Sequence, residues 1–162
     1  MLHAIDNKAT ASQDTGQKSL KIMGILMDQA EFLINQDELV AFESIPELDS
    51  RNKPRHSLGT FSLEDQEIAV YCLSDELDLL DYIPDNRETC IVLRKGNRMI
   101  GLICNEIKEL EYSMFNIQDI PECMFNDNSP ISALCVYQLK DGISVIGKML
   151  TADVIDAYIR LY

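Results

Sequence analysis

The sequence predicts a mainly antiparallel β fold built from small barrels. Three observations predict it. Short apolar, often β-branched runs recur along the chain, most of them end at a compact turn signal, and no long helical period alternates with them. One amphipathic segment at the C-terminal end supplies the only helix of any length.

In chain order, residues 1–19 are polar, small and without period, and read as a mobile tail ahead of one domain over 20–162. KIMGILM (21–27) and EFLIN (31–35) flank a DQA turn and predict a hairpin. DELVAFESIPEL sets Leu39, Val40, Phe42 and Ile45 among acids and stops at Pro46. RNKPRHS (51–57) is a basic, turn-rich connection. It leads into GTFSLEDQEIAVYCL (59–73), two strand-like runs meeting at the acidic stretch Glu64-Asp65-Gln66-Glu67. SDELDLLDYIP, with Ser74 as N-cap, predicts one or two helical turns before Pro84. TCIVLRKGNRMIGLIC is the clearest hairpin, turning at Gly96-Asn97. Residues 112–130 hold two prolines and no clean period, and predict a long connection. ISALCVYQL, KDG and ISVIGKML predict a last hairpin. Thr151 then caps a helix with Val154, Ile155, Tyr158, Ile159 and Tyr162 on one face.

Charge narrows the function classes. A length of 162 residues predicts one compact domain, or two small subdomains sharing a core, and a net charge of −13 repels phosphate backbones and anionic membranes. Nucleic-acid binding and membrane insertion are therefore not expected, and basic protein surfaces are the natural counterparts. No apolar run approaches the roughly 20 residues that span a bilayer, and the start lacks the apolar centre of a secretory signal, so a cytoplasmic protein is expected.

Catalytic and metal chemistry find little support. Cys72, Cys90, Cys104, Cys123 and Cys135 are odd in number, lack CxxC spacing and mostly sit in apolar runs, as reduced core residues do. The histidines, His3 and His56, have no partner set for a general base. DELDLLD (75–81) lacks the alternating oxygen ligands and turn glycine of a calcium loop. No catalytic residue, metal or cofactor is expected. Two rival readings stand beside this one. RNKPR (51–55) matches half of the cyclic-dinucleotide signature of PilZ domains, also small β-barrels, without the other half, and a cysteine-based enzyme is the second rival.

GTFSLEDQEIAVYCL resembles the signature of CheW-like coupling domains, the adaptors that join chemoreceptors to the histidine kinase CheA. Gly59, Phe61, Leu63, Ile68, Val70 and Leu73 match in identity or character. Ser62, Glu64, Asp65, Ala69 and Cys72 stand where that family has asparagine, arginine, glycine, proline and aspartate. DQAEFLINQDELVAFESI is similar to an earlier family stretch, with Glu43 at its acidic position. CIVLRKGNRMIGLICNEIKEL resembles a later hairpin, with Gly101 on a family glycine and Asn105 where aspartate is usual. KDGISVIGKMLTADVI is similar to the closing strand and helix.

The resemblance implies two small five-stranded SH3-like barrels around a shared core, with short helices and a C-terminal one. It also implies a non-enzymatic adaptor in a bacterial chemosensory array, of the chemotaxis or the type IV pilus twitching-motility kind. Its partners would be a CheA-type histidine kinase, a chemoreceptor or another CheW-like domain. In the family the turn arginine lies by the groove that meets the receptor, so Glu64, deepened by Asp65 and Glu67, reverses the charge there. Such a tip is expected to reject an acidic partner surface and favour a basic one. The expected contact residues are Glu43, Gly59, Leu63, Glu64, Asp65 and Gly101, with Arg94, Lys95 and Arg98 as a second, basic tip. Opposite charges on the two tips also leave room for weak self-association.

Overall fold

The computed structural model describes residues 21–110, 115–124, 129–139 and 141–162, apart from the side chains of Lys95 and Phe115. The expected tail over 1–19 lies outside the described residues.

The chain is mainly β, in two sheets. Strands β1 (Ile22–Met27), β2 (Ala30–Asn35), β9 (Glu106–Glu109), β10 (Phe115–Gln118), β11 (Ile131–Gln138) and β12 (Ser144–Leu150) form the first, in the order β10-β11-β12-β2-β1-β9. The second takes the middle of the chain. Its strands β3 (Leu39–Ser44), β4 (Gly59–Leu63), β5 (Gln66–Leu73), β7 (Thr89–Lys95) and β8 (Arg98–Cys104) run in the order β3-β7-β8-β5-β4, with the two-residue β6 (Leu79–Leu80) on β5. Each sheet thus carries six strands, one more than the resemblance implied. Pairing is antiparallel except between β12 and β2 and between β5 and β8. Helix α1 (Ala152–Arg160) closes the chain.

Strands in both sheets bury apolar side chains on two faces, and this explains the unbroken apolar runs. Along β5, Val70 and Cys72 point into a small core inside the second sheet, while Tyr71 and Leu73 face a larger core shared by both sheets and α1. Along β2, Leu33 faces the interior of the first sheet, and Phe32 and Ile34 the shared core. Strands buried on both faces cannot alternate apolar with polar.

The second sheet stays open between β3 and β4, and the segment that connects them is tied to β4 by a bridge between Asp49 and Thr60, whose backbone hydrogen bonds measure 2.8 and 2.9 Å. A Cβ at Gly59 would stand 2.9 Å from the Asp49 carbonyl oxygen, and its φ is +154°. Only glycine fits there.

One clamp fixes the sheets to each other. The Arg87 side chain is 0% exposed and forks onto Asp28, in the β1–β2 turn, with both contacts at 3.0 Å. It also donates to the carbonyls of Leu73 at 2.8 Å and Ile103 at 2.9 Å, near the ends of β5 and β8. Asn105 accepts from the Asp28 amide at 2.6 Å and donates to the Asn86 carbonyl. The Arg87 hydrogen bond holds the Asp28 carboxyl below its ordinary range, against a smaller opposing effect of burial.

Two expectations are corrected. Residues 74–84 form no helix: the Ser74 hydroxyl accepts from the amides of Glu76 and Asp78 in a turn, and Leu77 takes φ 68°. That conformation buries the Leu77 side chain in the shared core and presents its carbonyl to the Tyr158 hydroxyl at 2.8 Å, which one helical face would not do. Residues 112–130 are not one connection, because they contain β10 and a 3-10 turn at Glu122–Met124. The terminal helix agrees with expectation at its start, where the Thr151 hydroxyl accepts from the Val154 amide and Glu38 accepts from the Ala152 amide, but it ends at Arg160 and leaves Tyr162 beyond it, 51% exposed. Among the described residues, no helix is long and apolar enough to cross a membrane.

Candidate functional site

Because β5 and β8 are parallel neighbours, with Ala69 beside Ile100, the turns that precede them lie at one end of the second sheet. The acidic and basic tips are therefore side by side. This adjacency is a product of topology, which local sequence does not reveal.

The acidic tip is tighter than its sequence suggests. Leu63 pairs with Gln66, so only Glu64 and Asp65 form the turn, with φ of 49° and 63°. Two consecutive left-handed residues make the mirror-image hairpin turn that asparagine-glycine favours. Both acids are exposed, and Leu63 is half-buried behind them. Glu67 belongs to β5, where it accepts from the Thr60 hydroxyl at 2.7 Å. On the basic tip, Gly96 takes φ 54°. Arg94 is exposed beside Met99. Arg98 reaches Asp156 of α1 at 3.5 Å, and Arg160 holds the same carboxylate at 3.2 Å. Lys95 pairs with Arg98 through the backbone, while its side chain lies outside the described residues.

Two clefts flank this end. One, of about 730 Å³, opens between β3 and β4 and is bordered by Glu43, Glu47, Asp49, Phe61 and Glu67. Its one arginine, Arg51, already forks onto Asp49 at 3.1 Å, so the cleft is acidic. Phe42, 60% exposed, precedes Glu43 in β3 and so faces the other side of the strand; in the sequence it stands among acids ahead of Pro46 and was not among the expected contact residues. The other cleft, of about 470 Å³, lies on the α1 side and is bordered by Glu67, Tyr71, Arg98 and Asp156. Tyr71 and Asp156 were not expected there. Asp156 carried a sequence signal, as a carboxylate within the apolar face of the last helix.

Gly59 and Gly101 are buried, so neither presents a surface to a partner. A Cβ at Gly101 would come within 2.8 Å of Val70 Cγ2, which makes it the residue that lets β8 lie close against β5. Both glycines support the tips from beneath.

Four of the five cysteines are buried and Cys123 is exposed. Burial pushes the Cys72 thiol up to about 11 and those of Cys90 and Cys104 up to about 12, so all three remain protonated thiols. Among the described residues, no group of ligands could hold a metal ion. His56 is exposed at φ 64°, edge-on to Tyr162 with ring centroids 6.3 Å apart.

Compared with known families, residues 21–145 match the model of the CheW-like domain. The chain belongs to the CheW-like domain family. A solved relative in fold is the scaffolding protein TtCheW from Thermoanaerobacter tengcongensis, with a TM-score of 0.57 at 13% identity over 82% of this chain and 89% of that one. No curated protein matches the chain.

Proposed function

We propose that this CheW-like domain is a non-enzymatic adaptor of a bacterial chemosensory assembly, working in the cytoplasm. It holds a CheA-type histidine kinase, a chemoreceptor or another CheW-like domain. Membership of the family over 21–145 carries the reading. The buried, protonated thiols of Cys72, Cys90 and Cys104 serve packing, not nucleophilic chemistry. The array is of the chemotaxis or the twitching-motility kind, and disrupting the gene would separate these by which movement is lost.

The contact surface is the end of the second sheet. Glu64, Asp65 and Glu43 receive the cationic part of a partner across Leu63, and Arg94, Lys95 and Arg98 receive its anionic part. Charges this exposed contribute more to encounter rate and discrimination than to bulk affinity, because water and salt screen them. An acidic surface that suits an arginine at position 64 is repelled here, and a basic one is drawn in. With both signs side by side, self-association would set the acidic tip of one copy on the basic tip of the other.

Titration calorimetry against the CheW-like domain of each CheA-type kinase and against the receptor tips of the same genome tests the reading at low and moderate salt. Micromolar binding that weakens with salt is expected. Silence against all of them would overturn the adaptor role.

A further inference from the structure

The cleft beside α1 holds two polar groups, Tyr71 and Glu67, that the adaptor reading leaves unused. Tyr71 is 7% exposed and borders that cleft, yet among the described residues no hydrogen bond reaches its hydroxyl. The hydroxyl reaches solvent at the cleft wall, where the fold holds it as a ready donor to a ligand that replaces water. Burial, followed by the charge of Asp156, raises its ionisation, which keeps it a neutral donor.

Opposite charges flank the hydroxyl. Glu67, Ala69 and Tyr71 alternate onto one face of β5, and Arg98 and Ile100 occupy the same face of β8, with Ala69 beside Ile100. Glu67 and Arg98 are thus neighbours across two strands, but they do not pair with each other. Glu67 takes the Thr60 hydroxyl, and Arg98 makes only a 3.5 Å contact with Asp156, which Arg160 already neutralises. One flank therefore offers a guanidinium fork to a carboxylate, and the other offers a carboxylate to an ammonium. Ala69, Ile100 and Met99 supply apolar lining, and about 470 Å³ suits a small molecule.

We propose that this cleft binds a small zwitterion of the α-amino-acid class, with its carboxylate on Arg98 and the Tyr71 hydroxyl and its ammonium on Glu67.

Amide-resolved NMR of the full chain tests this, with each common α-amino acid at millimolar concentration beside its amide and its N-acetyl form. At least one amino acid is expected to shift the Ala69, Tyr71 and Ile100 resonances saturably, with both capped forms about ten-fold weaker or worse. Tyr71→Phe and Arg98→Gln should each weaken binding about ten-fold while preserving the dispersed spectrum of the fold. Should either variant fail to fold, Glu67→Gln takes its place, and it should weaken the amino acid more than the N-acetyl form. Absence of any saturable shift, equal binding of the capped forms, or undiminished binding by the variants would overturn the site. The measurement uses the chain alone, so its failure leaves the adaptor reading intact.

Discussion

The two ends of the second sheet handle charge in opposite ways. At one end the carboxylates and guanidinium groups of the two tips face water, and the closest contact of Arg98 is 3.5 Å. At the other, Arg87 is sealed from solvent and shared among Asp28, Leu73 and Ile103 at 2.8 to 3.0 Å. The difference teaches which charges are committed and which are available. A buried guanidinium has to be satisfied by the protein itself, so it serves architecture. An exposed one stays solvated until a partner arrives.

The largest expected effect comes from breaking the buried end. Arg87→Met leaves Asp28 and two carbonyls without their donor and should lower stability by about 3 kcal/mol, read by chemical denaturation. Acid should loosen the same clamp. Arg87 depresses the folded-state pKa of Asp28, so the clamp's contribution is complete above the ordinary aspartate range and is lost as the pH falls through the lowered folded value. Denaturant midpoints from about pH 6 to about pH 3 should therefore fall more steeply in the parent than in Asp28→Asn.

At the exposed end the effects move from stability to recognition. Glu64→Arg combined with Asp65→Gly should weaken a basic partner about ten-fold at low salt and restore binding to an acidic one, as calorimetry would show; unchanged affinity for every partner would remove the specificity role. Asp65→Gly alone should stabilise the fold by about 1 kcal/mol, because glycine takes φ 63° without strain. Smallest of all, Arg98→Gln should cost less than about 1 kcal/mol of stability, since Asp156 keeps Arg160. A loss comparable to that of Arg87→Met would erase the contrast between the two ends.

Legibility in the sequence followed burial. Hairpins such as 89–104 were readable because central strands buried on both faces give long apolar runs. The short edge strands β9 and β10 were not, since EIKE and the exposed Asn116, Ile117 and Gln118 leave no apolar pattern. Residues 74–84 imitate a helix start because Ser74 satisfies two amides in a turn as it would at a cap. The acidic and basic tips were legible one at a time, but their adjacency depends on a parallel pairing that no local signal encodes. The Arg87 clamp joins residues 59 apart and arises only after both sheets have formed. The Tyr71 hydroxyl was hidden because, in sequence, it is one more aromatic residue in a strand.

The parallel pairing of β5 and β8 also has a mechanical side. Each strand begins at a charged tip and ends near a carbonyl gripped by Arg87, so a pull applied at the tips runs along both strands. A load on one tip alone reaches the other strand through the hydrogen bonds between them, which then resist together in shear instead of opening one after another. Whatever grasps this end of the molecule holds a stiff rod anchored through one guanidinium to the turn of the opposite sheet.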